Sequence, residues 1–197
     1  ALRGGPVEAF VLRRAHRVLA VHPSLTAGLR TRAPVDVVRE GVAPLPRSDR
    51  RGPLLMSATL APWKGHSLAL QALARARRTT AELRLLVLGD SPGAAPDRLP
   101  GLRAAADRLG LGDSVSFAGH VADPRHALVS ARALVAPVQV AEPYGRAVLE
   151  AAAAGVPLLV SQLGTPAELV RAHGAGRVVA SSDVDAWAAA LVEAWHG

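Results

Sequence analysis

Residues 137–170 read PVQVAEPYGRAVLEAAAAGVPLLVSQLGTPAELV, and this stretch decides the fold. Its opening is the end of a buried strand. A short loop follows, and then a helix opening near Tyr144 and running through Leu149, Glu150 and the alanines 151–154 to Gly155. An Ala-rich helix packs closely, so a carboxylate at Glu150 is out of character with the rest of it. A second carboxylate, Glu142, stands in the loop just before. Between the two lie Tyr144, Gly145 and Arg146, where the first N–H groups of the helix have no partner within the helix. Such groups, at the positive end of the helix dipole, form a ready anion site. The stretch therefore reads as a phosphate cradle flanked by two acceptors for hydroxyl groups. A nucleotide sugar carries both kinds of partner.

The pattern around this stretch is regular. Continuous apolar runs at 54–58, 83–89, 114–119, 133–137, 157–161 and 176–180 alternate with helical segments at 66–78, 99–109, 125–132, 144–155, 166–172 and 184–195. Unbroken apolar runs, rather than alternating ones, are the mark of strands covered on both faces. About six strand–helix units in a row predict an α/β domain with a Rossmann-like, doubly wound parallel sheet. In the last helix Trp187, Leu191 and Trp195 fall on one core-directed face. Before this region, 6–15 predicts a helix, 17–21 and 35–38 short strands, and His22-Pro23-Ser24 a turn into a second helix. The Pro- and Gly-rich, charged run from Glu40 to Arg51 reads as a linker. The domains are expected at 1–45, a remnant of a preceding domain with its linker, and 46–197, the ligand-binding domain.

Composition narrows the function. Half of the 197 residues are hydrophobic but only 3% are aromatic, so the core is built from Ala, Val and Leu. There is no cysteine, which excludes disulfides, thiolate metal sites and cysteine nucleophiles. No apolar run is long enough for a transmembrane helix, and no signal peptide is visible. The net charge is +7, yet the basic residues are scattered and few aromatic rings are available for stacking, which argues against nucleic acid. A basic surface suits an anionic donor, or a membrane if the acceptor is a lipid. Of the 23 basic residues only Lys64 is a lysine.

The spacing of Glu142 and Glu150, with Pro, an aromatic and Gly between them, resembles the E-x7-E signature of retaining glycosyltransferases of the GT-B fold. Glycosyltransferase family 4, in the glycogen-synthase and mannosyltransferase superfamily, is the particular likeness. The resemblance covers about residues 50–195 and includes the tail VSQLGTPAELV. It implies a donor-binding, C-terminal half of a GT-B enzyme that moves a hexose from a UDP- or GDP-sugar to an acceptor hydroxyl. It implies Glu142 on the donor sugar, Glu150 on the ribose hydroxyls, and Lys64 on the diphosphate in a Lys-Gly pair. Glu142 and Lys64 are the candidate catalytic residues. The family pairs this lysine with an arginine; here Thr59 holds that place, and Arg146 stands where the family has an apolar residue. Gly89 matches a turn near the donor, and His120, Val121 and Asp123 match a stretch bordering the nucleobase. Asp123 is also placed to cap the helix that follows. Asp183-Val184-Asp185 is a D-x-D, but it opens the last helix and reads as a cap. No metal and no cofactor beyond the nucleotide-sugar donor are expected. The expected partner is the acceptor-binding N-terminal domain of the same enzyme, which is placed in the cytoplasm or peripherally on its membrane. A degenerate, non-catalytic nucleotide-sugar-binding module and another GT-B enzyme, such as a sugar-nucleotide epimerase, are the alternatives. Thr59 favours the first of these, while the E-P-aromatic-G context speaks against the second.

Overall fold

A computed structural model describes residues 5–26, 29–91, 93, 96–142 and 145–197, without the side chains of residues 6, 7 and 24. The chain forms two compact units, 1–41 and 42–197.

The first unit holds helix α1 (Pro6–Arg14) and two strands, β1 (Val18–Ala20) and β2 (Val35–Val37), which pair in parallel. Pro6 sits at the start of α1, where a missing N–H costs nothing. The second helix expected after Ser24 is instead a single 3-10 turn, Pro23–Leu25. There Thr26 turns its hydroxyl onto the Pro23 carbonyl, a local bond that competes with helix propagation.

The second unit contains β3 (Leu54–Ser57), α2 (His66–Ala76), β4 (Leu85–Leu88), α3 (Leu99–Arg108), β5 (Val115–Gly119) and α4 (Arg125–Ser130). It continues with β6 (Leu134–Ala136), α5 (Arg146–Ala153), β7 (Leu158–Ser161), α6 (Thr165–His173), β8 (Gly176–Val179) and α7 (Val184–His196). The six strands lie in the order β5-β4-β3-β6-β7-β8, and every pairing is parallel. This is the Rossmann-like doubly wound sheet that the alternating runs predict. All the helices and strands expected in this region are present, most of them shorter by a residue or two at the ends.

The alternation of side chains along the strands builds two cores. On β3, Leu54 and Met56 join one cluster with Leu70, Leu73, Trp187 and Leu191. Leu55 faces the other way, into a cluster with Leu128, Leu134, Val148 and Leu158. Helices therefore cover both faces, and each buried leucine contributes about 2–5 kcal/mol against truncation to alanine. Trp187, fully buried, satisfies its indole N–H on the Ala180 carbonyl at 2.9 Å. The segment expected as a linker is not free along its length. Ser48 N–H donates to Ala154, Asp49 N–H to Val129 and Gly52 N–H to Ser130, so residues 48–52 are fastened to the second unit.

The strand order reverses between β3 and β6. Chain leaves β3 towards β4 on one side and leaves β6 towards β7 on the other. The loops after these two strands therefore diverge and open a crevice past their carboxyl ends, where ligands bind in sheets of this kind.

Candidate functional site

The crevice is built from the loops after β3 and β6. After β3, residues Pro62–Lys64 form a 3-10 turn, and Gly65 adopts a left-handed conformation with φ of +80° before α2 begins. A side chain at Gly65 would collide with the Pro137 carbonyl, so glycine lets the two loops touch. Gln139 N–H adds a hydrogen bond to the Trp63 carbonyl at 2.7 Å. On the far side, a side chain at Gly164 would run into the backbone of Glu142, and Thr165 N–H donates to the Glu142 carbonyl at 3.1 Å. The backbone that carries Lys64 and Glu142 is thus held from both sides.

Across this crevice the Lys64 Nζ donates to Glu142 Oε1 in a direct ion pair. The two residues lie 78 positions apart in sequence, and their side chains are 23% and 16% exposed. A lysine beside a helix N-terminus opposes the helix dipole unless an anion stands between them. Glu142 is that anion in the free protein. A cavity of about 180 Å³ opens beside the pair, lined by Ser57, Ala58, Ala136, Gly145 and Arg146 among others. Both α2 and α5 are entered through a glycine, Gly65 and Gly145, which brings no side chain to cap the first turn. The first turn of a helix is where backbone N–H groups and the helix dipole favour an anion. At α7, by contrast, Asp183 Oδ1 accepts from Ala186 N–H at 2.9 Å.

The other expected site residues divide into those the crevice gathers and those held elsewhere. Glu150 lies one helical turn along α5, where Arg146 Nε donates to its Oε1 at 2.9 Å. Arg146 itself is 77% exposed. The helix opens at Arg146 rather than at Tyr144, and Tyr144 lies outside the described residues. Thr59 is exposed at the start of the loop after β3. Gly89, at the end of β4 with φ of +132°, lies so close to the Ala58 carbonyl that a side chain would collide. His120 is exposed, and Val121 packs against the core cluster on the α5 face.

Asp123 is already occupied. Its carboxylate accepts from Arg125 N–H at 3.1 Å and from the Arg125 guanidinium at 2.7 and 2.6 Å. Those hydrogen bonds hold its pKa down at about 2. The helix-capping role therefore describes its side chain in the free protein. The D-x-D pair is likewise spent on structure: Asp183 caps α7, and Asp185 pairs with Arg75 at 2.7 Å. Among the described residues no group of three or more His, Asp or Glu side chains comes together to hold a metal. Among them, too, no helix is long and apolar enough to cross a membrane.

Two residues in the loop cluster carry no motif. His66 opens α2 and is 4% exposed, and neither ring nitrogen makes a well-formed hydrogen bond, the nearest approach being a weak contact with the Ala61 backbone. Burial, first, and then the charges of Arg98 and Lys64 lower its pKa to about 4, although the Ala61 backbone acts the other way. The sequence signal was present but faint: His66 sits on the stripe of Ala69, Leu70 and Leu73 that faces the core. Arg98, at the start of α3, reaches back so that its Nη1 lies 3.4 Å from the Leu60 carbonyl. No spacing rule singles it out.

Comparison with known proteins agrees with this fold. The family described as glycosyl transferases group 1 matches residues 42–196. An exopolysaccharide phosphotransferase of Streptomyces coelicolor is 32% identical over 203 residues, covering 96% of this chain but 21% of that protein. A GDP-mannose-dependent α-(1-6)-phosphatidylinositol monomannoside mannosyltransferase of Mycobacterium tuberculosis is 32% identical over 155 residues, 75% of this chain and 39% of that enzyme. Among solved structures, Anabaena HepE in complex with UDP and glucose superposes with a TM-score of 0.81 at 22% identity, over 95% of this chain and 55% of HepE. The chain thus spans well under half the length of these two curated relatives. The family match across nearly all of the second unit, together with the strand order of its sheet, shows that this chain belongs to the glycosyl transferases group 1 family.

Proposed function

We propose that residues 42–197 bind the donor of a retaining GT-B glycosyltransferase, a nucleotide diphosphate sugar, in the crevice between the loops after β3 and β6. The observation that carries this reading is the Lys64–Glu142 pair, lodged at the strand-order reversal beside the N-termini of α2 and α5, each entered through a glycine. A diphosphate there would take over Lys64 from Glu142 and accept from the first N–H groups of α2 and α5. Glu142, released, would turn to a hydroxyl of the sugar. Glu150 would accept from the ribose hydroxyls, sharing or giving up Arg146. The backbone at Val121 and Gly89 would border the base and the phosphates.

The chemistry follows from these placements. The bond between the anomeric carbon and the diphosphate oxygen breaks, and its electron pair leaves with the diphosphate. Lys64 and the helix N–H groups stabilise the charge that builds up there, and positions fixed in advance make that stabilisation effective. The new bond forms to the acceptor hydroxyl oxygen with the anomeric configuration kept, and the hydroxyl proton passes to the departing diphosphate oxygen. Glu142 holds the sugar in place, and its charge favours an oxocarbenium-like centre. No described side chain stands out as a general base. The acceptor site falls to an N-terminal domain of the whole enzyme, which the relatives' greater length leaves room for.

Titration with UDP, GDP, UDP-glucose and GDP-mannose tests the reading. One base should bind in the micromolar to millimolar range, about −4 to −8 kcal/mol, with the free sugar binding undetectably. Absence of binding by every nucleotide would overturn it. The non-catalytic module remains a second reading, favoured by the neutral Thr59 and by the engagement of both Lys64 and Glu150 in ion pairs. Fusion to an acceptor domain from a family member separates the two: transfer to an acceptor supports the enzyme, and tight binding without transfer supports the module.

A further inference from the structure

We propose that Arg98 is a diphosphate-binding residue of this site, the cation that meets the donor's charge where Lys64 alone does not. The inference rests on the nucleotide-sugar reading above and adds to it a residue that no motif marks.

A nucleoside diphosphate brings two or more negative charges into the crevice. Lys64 meets them already neutralised by Glu142, and Arg146 is bonded to Glu150. The lysine, its glutamate partner and that second pair together contribute no net positive charge. Arg98 differs. Among the described residues no carboxylate lies within ion-pair distance of it, and its guanidinium makes one long contact, 3.4 Å, with the Leu60 carbonyl. Asp90 is the nearby candidate to neutralise it, but the Asp90 Oδ1 is turned towards Gly119, 3.5 Å from where a Cβ there would stand.

The place of Arg98 is as telling as its charge. Leu60 is the next residue after Thr59, in the loop that delivers Lys64. This loop is tied to the one after β4 by the Leu60 N–H bond to the Asp90 carbonyl at 2.8 Å. Arg98 comes from the end of that second loop, where its own N–H donates to Ser91 Oγ at 2.9 Å and fixes the start of α3. So Arg98 arrives from the neighbouring strand's loop at the same carboxyl end of the sheet as Lys64. The buried His66 ring at the N-terminus of α2 lies close enough to both Arg98 and Lys64 that their charges, after burial, help to lower its pKa. A guanidinium presents several N–H donors in a planar fork and binds phosphate oxygens in pairs. A side chain held by one weak carbonyl contact can swing to such a ligand at little cost.

The test is calorimetric titration of the 197-residue chain with UDP and GDP, and with uridine and guanosine, in wild type, Arg98→Gln, Arg98→Lys and Lys64→Ala. For whichever diphosphate binds wild type, Arg98→Gln should weaken binding about tenfold or more while leaving the nucleoside unaffected. The salt dependence of diphosphate binding should become shallower. Arg98→Lys, which keeps the charge but loses the fork, should fall between the two. Diphosphate affinity unchanged in Arg98→Gln but lost in Lys64→Ala would overturn the assignment and leave the nucleotide-sugar reading standing. Equal losses of diphosphate and nucleoside affinity with a lowered melting temperature would also overturn it, because they would mark Arg98 as a structural anchor of α3. If neither diphosphate binds wild type, the nucleotide-sugar reading itself falls, and this inference with it.

Discussion

His66 should make the second unit acid-sensitive in a way that one substitution removes. The ring is 4% exposed, has no well-formed hydrogen bond at either nitrogen, and stands near two cations. Its pKa falls from an ordinary 6.5 to about 4, chiefly because burial penalises the charged form. The folded chain therefore holds this proton less tightly than the unfolded chain. The stability that neutral His66 contributes is complete above pH 6.5 and is lost as the pH falls towards 4. Over the full interval the gap amounts to roughly 3 kcal/mol, of which about 2 kcal/mol is lost between pH 7 and pH 4.5. His66→Leu keeps the apolar contacts of that face and has nothing to protonate. It should be at least as stable as wild type at neutral pH, because two poorly partnered polar atoms leave the core. Urea unfolding followed by the fluorescence of buried Trp187 measures both proteins at both pH values. The wild type should lose about 2 kcal/mol more than the variant on acidification, the carboxylate contributions being common to both. Equal losses would refute the reasoning, since they would mean that the ring protonates in the fold at its ordinary pKa.

Lys64→Ala should weaken nucleoside-diphosphate binding by about 1.5–3 kcal/mol while sparing the bare nucleoside. It should also cost on the order of 1–3 kcal/mol of stability by leaving Glu142 largely buried without its partner, and calorimetry with thermal melting reads both. Glu150→Gln should lower affinity for a nucleoside diphosphate but not for its 2′,3′-dideoxy analogue. If only stability changes, by the ~0.3–0.5 kcal/mol of an exposed i, i+4 pair, the Arg146 contact is the whole role of Glu150. Gly65→Ala forces a β-carbon onto the Pro137 carbonyl at a left-handed φ, and should cost about 3 kcal/mol or more in denaturant unfolding and abolish diphosphate binding.

Much of this was legible in the sequence, and what escaped it has physical causes. The strands were legible because a sheet covered on both faces leaves unbroken apolar runs, as Leu54 to Met56 show by feeding two cores from consecutive positions. Glu150 stood out as a carboxylate on an Ala-rich helix, Glu142 through its spacing to Glu150, and Lys64 as the one lysine of the chain, in a Lys-Gly pair that resembles the family's. That Lys64 and Glu142 meet was not, because their contact depends on the strand order that sets β3 beside β6. The single 3-10 turn at Pro23–Leu25, where a second helix was expected, shows the limit of local turn signals. His66 went unremarked because one histidine on an apolar stripe reads as part of the core, and Arg98 because its role comes from a side chain reaching across to another loop. The Arg146–Glu150 pair was foreseeable from its spacing alone, and it is what the free protein adopts.

The central claim is that a nucleotide diphosphate sugar occupies the crevice past the carboxyl ends of β3 and β6. Amide NMR of the ¹⁵N-labelled chain, titrated with UDP-glucose and with GDP-mannose, tests it most directly. The account predicts that one of the two shifts the amides of Lys64 to Ser67 and of Gly145 to Val148 together, in a saturable manner, with smaller shifts at Gly89 and Val121. Saturable shifts confined to the opposite end of the sheet, at Ser114, Gly155 and Gly174, with those first-turn amides unmoved, would contradict it.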